Sequence, residues 1–146
     1  MKIKKILIPT DFSDLSKEAI DIALPLAKQF GASVVFLHVL ERMEGREDEE
    51  ARFNEGDGYL WDRSRALLDD LVGQTEQKGM SASAEIGKGT PYVEILRTAE
   101  KIGADLIMMG THGRKGLDRV LLGSQAEKVV RMASCPVTTI KIKGDS

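Results

Sequence analysis

The chain has 146 residues, 42% hydrophobic and 30% charged, with 21 Lys and Arg against 23 Asp and Glu, the make-up of one ordinary soluble domain. Folding at this size buries roughly 70% of the unfolded chain's surface, so no structural metal is needed, and the single cysteine, Cys135, excludes a disulfide framework. A formal charge of −2 and 5% aromatic residues supply neither a basic stripe for phosphodiester backbones nor platforms for stacked bases, and no apolar run approaches a membrane span of ~20 residues.

The opening MKIKKILIPTDFSD carries only the short apolar run Ile6 to Ile8, too brief for a secretion signal, so a cytoplasmic protein is expected. Ile3, Ile6, Leu7 and Ile8, closed by Pro9, read as a first, buried strand. After the turn Thr10-Asp11-Phe12-Ser13, apolar positions at Leu15, Ala19, Ile22, Ala23, Leu26, Ala27 and Phe30 trace the stripe of an amphipathic helix that Gly31 stops. Pro25 lies inside the stripe and predicts a kink or a shift of register, because it removes a donor and crowds the preceding turn. Val34 to Leu40 is apolar on both faces except at His38, the pattern of a central parallel strand, and His38 reads as a satisfied core histidine.

Residues 41 to 57 hold eight acidic and three basic residues and read as a surface insertion, either a solvated loop or a lid or docking segment. A helix is predicted from about Leu60 to Lys78 before Gly79, then a strand over residues 80 to 86. Thr90 as cap and Pro91 at the first helical position open a helix carrying Val93, Ile95, Leu96 and Ala99 up to Gly103. Leu106 to Met109 forms the fourth strand. A glycine-rich stretch from Gly110 to Gly123 precedes a helix with Ala126, Val129, Val130 and Ala133 on one side, and Pro136 to Ile142, begun by Pro and mixed with Thr and Lys, suits an edge strand. Five strands alternating with four helices predict one α/β domain over residues 1–146, a sandwich around a mostly parallel sheet.

Ligands of such sheets bind beyond the carboxyl ends of the strands, which directs attention to Pro9-Thr10-Asp11, Val39-Leu40, Gly87-Lys88-Gly89 and the stretch from Gly110 to Ser124. Gly110, two residues, Gly113, nine residues, Gly123 and then Ser124 suit a polyphosphate. Glycines let the backbone approach an anion, and a helix start offers unpaired N–H groups, with Arg114 and Lys115 adding charge. Other roles stay open beside this one. Ser124 with Glu127 is a capping box, Asp11 suits a helix-entry turn, and each loop glycine suits a plain turn. His112 and His38 lack the spacing of a metal site, and His112 reads as packing or donating a hydrogen bond. No G-x-x-x-x-G-K-[ST], no G-x-G-x-x-G after the first strand, no G-x-S-x-G and no carboxylate pair stands out, so binding outranks catalysis.

These segments resemble the universal stress protein family: KKILIPTDFS, LHVL, the GTP of Gly89-Thr90-Pro91, ADLIMMGTHGR, LLGS and CPVTTI follow one another as in that family, over residues 2 to 142. The resemblance implies a Rossmann-like fold, akin to the adenine nucleotide alpha hydrolases, with sheet order 3-2-1-4-5 and helices on both faces. It also implies the nucleotide-binding branch, whose G-2x-G-9x-G-[ST] stands intact at Gly110, Gly113, Gly123 and Ser124. Carried over, Pro9, Thr10 and Asp11 line the adenosine end, Val39 presents backbone to adenine, Met109, Gly110, His112, Gly113 and Arg114 wrap one side, and Gly123, Ser124, Gln125 and Ala126 the other. The implied ligand is ATP with a phosphate-bound Mg²⁺, and the implied assembly a homodimer through the last strand. The implied role is that of a regulatory module of the stress response with an unidentified protein partner; the alternatives are a slow ATPase or phosphotransferase, with His112 or Ser124 as the suspect group, and a dimeric scaffold without nucleotide. The acidic segment, Pro25 and Gln125-Ala126, where small hydroxyl residues are common, depart from the family pattern.

Overall fold

A computed structural model describes residues 1–41, 50–111 and 123–142, and of residues 50–57 the backbone alone. The elements run β1 (Lys5–Pro9), α1 (Asp14–Phe30), β2 (Ser33–Leu40), α2 (Glu50–Gln77), β3 (Ala82–Lys88), α3 (Pro91–Ile102), β4 (Leu106–Gly110), α4 (Ser124–Met132) and β5 (Val137–Ile140). The strands form one sheet in the order β3-β2-β1-β4-β5, every neighbouring pair parallel.

Side chains alternate across this sheet and build two cores. Ile6 and Ile8, Val34 and Phe36, Leu106 and Met108, and Ile140 face α1 and Leu68 of α2. Leu7, Val35, Leu37, Ile107 and Met109 face Ile95 and Ala99 of α3 and Ala126 and Val129 of α4. The central strands are therefore apolar on both faces, as read from the sequence, and β5 lies at an edge.

The local signals act where expected at several ends. Gly31 ends α1 in the left-handed region at φ 65°, while Ser13, read from the sequence only as part of the preceding turn, proves to cap that helix, its hydroxyl accepting from the Ser16 N–H at 3.1 Å. Thr90 and Gly103 bracket α3, although the Thr90 side chain makes no capping bond.

Several expectations need correction. The buried seam of α1 is Ser16, Ala19, Ile20, Ala23, Leu24 and Ala27, whereas Ile22, Leu26 and Phe30 are 46%, 44% and 51% exposed. The row of alanines lets the helix lie close on the sheet, and apolar residues flank that row on both sides, so periodicity alone did not select between them. On α4, Val130 likewise faces outward. Pro25 lies within α1 without ending the helix, on the exposed side where water can take the carbonyl left without a donor. Finally, β3 is displaced two residues later, so Gly87 and Lys88 belong to its ladder opposite Val39 and Leu40.

Part of the segment assigned to a surface insertion is helical. α2 begins at Glu50, ten residues before the predicted start, despite Gly56 and Gly58. Extending an established helix costs little per residue once its first turn exists, and Glu50, Ala51 and Arg52 are good helix formers. Its 28 residues span about 42 Å, against about 23 Å for β3. Trp61 is level with the last residue of β3, its ring 5.6 Å from Lys88 Nζ, so the helix before it extends past the carboxyl edge of the sheet. Residues 42–49 of the acidic segment lie outside the described residues.

At the opposite, amino-terminal edge, Asp105 ties β1 to β4. Its Oδ2 accepts from the Lys4 and Lys5 N–H groups at 2.9 and 3.0 Å, and these bonds hold its carboxyl below the ordinary range. A depressed folded-state pKa adds stability that is complete above the ordinary value near ~3.9 and vanishes as pH falls through the lower folded value. Asp105→Asn keeps an acceptor but not the charge. Urea midpoints measured from pH 7 down to pH 2 are expected to fall less steeply for this variant than for the wild type.

Candidate functional site

β1 stops short of both its neighbours. Its pairing with β2 ends at Pro9 opposite Leu37, whereas β2 continues to Leu40, paired there with Lys88 of β3. On the other side the pairing with β4 ends at Leu7 opposite Ile107, whereas β4 continues to Gly110, paired with Ile140. The chain leaves β1 toward α1 on one face and leaves β4 toward α4 on the other, so the sheet opens into a notch above Pro9. This is the point where the strand order reverses, the place at which open α/β sheets receive ligands.

The turn after β1 forms the first wall. Thr10 prolongs the ladder by one bond, its N–H reaching the Leu37 carbonyl at 2.8 Å, and its hydroxyl joins Ser16 Oγ at 2.8 Å while accepting from the Phe12 N–H at 3.1 Å. Asp11 Oδ1 accepts from the Ser13 N–H at 3.0 Å, the Asx turn that one reading of the sequence offered. Phe12 has φ 63°, a conformation bulky side chains seldom take. Its ring lies 4.4 Å from that of His38, whose Nδ1 is 2.9 Å from the Thr10 carbonyl. Thr10, Ser16 and His38 are all buried. Val39 ends the wall on β2, its side chain packed toward α3.

The second wall is built from main chain. After Met109, buried in the α3 side of the core, the chain passes Gly110 to Thr111, whose N–H meets the Ile140 carbonyl at 3.2 Å. It returns at Gly123, whose N–H meets the Thr111 carbonyl at 2.7 Å. A β-carbon on Gly123 would stand 2.8 Å from that same oxygen, so only glycine closes this neck. The buried Thr111 hydroxyl has no hydrogen-bond partner among the described residues. His112, Gly113 and Arg114 lie outside the described residues.

Gly123 is the cap of α4 and Ser124 its first helical residue. The capping box read from Ser124 and Glu127 is therefore not formed: no side chain caps this helix, and the Glu127 N–H bonds the Gly123 carbonyl at 2.9 Å. The signal was right in kind and one residue out of place, because the constraint at the neck puts a glycine where the hydroxyl would have been. Gln125 turns aside, its Oε1 accepting from the Tyr92 N–H at 2.8 Å and so fastening the start of α3 to the start of α4. The Ala126 side chain is buried in the core. What α4 offers the notch is thus its first backbone N–H groups, with the positive end of its dipole behind them.

The structure brings Pro9, Thr10, Asp11, Val39, Gly110, Gly123 and Ser124 to this one end of the sheet. Ser16, Phe12, His38 as a support of the turn, and Thr111 were not singled out from sequence; nothing in a sequence marks a phenylalanine for positive φ, and Thr111 was visible only as a position between two glycines. Among the described residues, no three His, Cys, Asp or Glu side chains gather as a metal cage requires. Cys135, ahead of β5, is half-buried, and burial pushes its thiol up, away from the reactive thiolate.

Two neighbouring substitutions separate the neck from the cap. Gly123→Ala forces a backbone shift at Thr111 and is expected to lower unfolding free energy by ~1–3 kcal/mol. Ser124→Ala removes no capping bond and is expected to change it by less than ~0.5 kcal/mol. Paired chemical denaturation curves check both.

A model of the universal stress protein family matches residues 2–141. Universal stress protein MJ0531 of Methanocaldococcus jannaschii is 40% identical over 140 residues, which cover 94% of this chain and 82% of that one. MJ0577 of the same organism is 32% identical over 96% of each chain, and its solved structure superposes with a TM-score of 0.85 over 99% of this chain and 100% of that one, at 33% identity. At 22% identity, the Archaeoglobus fulgidus universal stress protein solved in complex with dAMP shares the fold, with a TM-score of 0.66 over 97% and 100% of the two chains. With the sheet order and strand ends of that fold in place and the family pattern running almost from end to end, the chain belongs to the universal stress protein family.

Proposed function

We propose that this chain is an ATP-binding member of its family, a regulatory module whose shape or partner changes with its nucleotide. The observation that carries the reading is the neck at Gly123. A bare backbone amide is pressed against the Thr111 carbonyl at the start of a helix, beside a notch between two strand ends and near the buried Thr111 hydroxyl, which has no partner among the described residues. Such an arrangement of main chain without β-carbons fits a phosphate tail better than it fits any side chain.

In this reading the adenosine lies toward Pro9, Thr10 and Asp11, with the Val39 backbone at the base. The phosphates lie between Met109, Gly110, His112, Gly113 and Arg114 on one side and the first N–H groups of α4, at Ser124, Gln125 and Ala126, on the other. Gln125 contributes through its backbone, since its Oε1 is engaged by Tyr92. Mg²⁺ is carried by the phosphates. The adenine nucleotide in the fulgidus relative lends the same fold to the same ligand class. No helix among the described residues is long and apolar enough to cross a membrane.

The assembly we propose is a homodimer through β5. Pro136 and Ile140 give their carbonyls to Ile107 of β4 and to Thr111 just beyond it, so Val137 and Thr139 turn their backbone groups to the open edge, with Val130 and Met132 exposed on α4.

Fresh protein denatured in the cold is expected to release adenine nucleotide, and ATP in excess, near 100 times its dissociation constant, to raise unfolding free energy by about 2.7 kcal/mol. Gly113→Val is expected to abolish both effects while leaving the melting of the ligand-free protein nearly unchanged; a variant that binds as the wild type does rejects the cradle. For the edge, Thr139→Pro removes an outward N–H and leaves the β4 ladder intact. Light scattering is expected to find it monomeric where the wild type is dimeric.

A further inference from the structure

We infer that His38 is a positioning residue: it does not touch the nucleotide but sets the conformation of the turn that presents Thr10 and Asp11 to it. The inference rests on the nucleotide reading above and adds a residue to that site. Thr10 stands past the last β1 pair, so its carbonyl has no partner in the ladder. That carbonyl can only accept, so the bond of 2.9 Å requires the proton on His38 Nδ1. The same imidazole backs the Phe12 ring, with centroids 4.4 Å apart and planes inclined by 36°, and Phe12 is the one residue of the described chain other than glycine with positive φ. A conformation of that kind persists only where surrounding structure holds it.

The turn has other bonds that do not involve His38. The Thr10 N–H is held by β2, the Thr10 hydroxyl by Ser16 and the Ser13 hydroxyl by the start of α1, while the Phe12 and Ser13 N–H groups bond within the turn to Thr10 Oγ1 and Asp11 Oδ1. Between them, Thr10 O and the Phe12 ring are both gripped by this one side chain from the neighbouring strand. Loss of the imidazole therefore loosens the middle of the turn, where Asp11 sits and the short-range bonds of Phe12 and Ser13 remain, while strand and helix stay anchored. A histidine that merely fills the core would show no such division.

Two variants and two measurements test this. His38→Leu keeps the bulk and removes the donor; His38→Asn places an amide N–H where Nδ1 was and removes the ring. In the ligand-free protein, amide hydrogen exchange of Phe12 and Ser13 is expected to quicken about tenfold in His38→Leu, with Leu7 and Ile107 unchanged, and to return most of the way in His38→Asn. Titration calorimetry is expected to show adenosine, AMP and ATP weakened by the same factor, about tenfold, in His38→Leu and largely restored in His38→Asn. The inference is overturned if Phe12 and Ser13 exchange as in the wild type, if the core amides quicken with them, if the loss of affinity grows with phosphate number, or if asparagine does no better than leucine. Should the wild type bind none of the three ligands, the nucleotide reading falls, and the exchange comparison alone still decides whether His38 holds the turn.

Discussion

The early end of β1 is the constraint from which the site follows. A parallel strand must hand its chain to a crossover, and here the central strand does so before either neighbour. The consequence is a gap in the sheet with backbone on both sides. Its floor is apolar and closely packed, since Leu7 and Ile107 are fully buried beneath it. A deeper or shallower gap would require another register on β2 or β4, and a register slip of one residue would turn every core side chain of the slipped strand to the wrong face. The location and the depth of the notch are therefore held by the hydrophobic cores, far more strongly than by any polar bond at the site itself.

The two walls use different physics. After β1 the turn is held by side chains: His38 of β2 on the Thr10 carbonyl, Ser16 of α1 on the Thr10 hydroxyl, and the turn's own Asp11 and Ser13 on neighbouring amides. After β4 the chain is held by main-chain bonds, Thr111 to Ile140 and Gly123 to Thr111. A wall made by side chains can present a carboxylate at a chosen position, which suits recognition of a base or sugar. One made by amides and a helix start presents partial positive charge over a broad area, which suits a phosphate chain. In the nucleotide reading proposed above, the site would thus divide into a specific and an electrostatic half according to how the two loops are secured.

How much of this was legible in the sequence depended on the kind of signal. Runs such as Ile6 to Ile8 and Leu106 to Met109 could hardly be anything but buried strands, and Gly31, Pro91 and Gly103 punctuate helices by mechanisms that act on their own neighbours. Where two solutions satisfied the same rule, the sequence left the choice open. The alanine row of α1 has apolar residues on either side, and the sheet chose Ile20 and Leu24 over Ile22 and Leu26. The early start of α2 was hidden because glycines at 56 and 58 speak against helix while an existing helix extends through them. At the site, Gly110, Gly123 and Ser124 carried a visible spacing, but the displaced cap, the diverted Gln125 and the positive φ of Phe12 arise from contacts between residues far apart in the chain, for which no local pattern exists.

The neck also joins the site to the edge of the sheet. Thr111 donates to Ile140 of β5 and accepts from Gly123, so one residue is shared between the last rung of the edge strand and the opening of α4. In the nucleotide reading proposed above, a phosphate drawing on the Gly123 amide would compete with its bond to the Thr111 carbonyl, and Thr111 is the residue whose N–H meets Ile140. Ile140 is itself packed on the α1 side of the core, so β5 has little freedom to absorb a shift locally. Energetic coupling between two sites needs a stiff connection and a ligand that favours one arrangement of it. In the nucleotide reading, the Ile140–Thr111–Gly123 chain of bonds would be that connection, and the 2.7 Å contact at its end, where a β-carbon on Gly123 would stand 2.8 Å from the same oxygen, the place at which an anion would act on it.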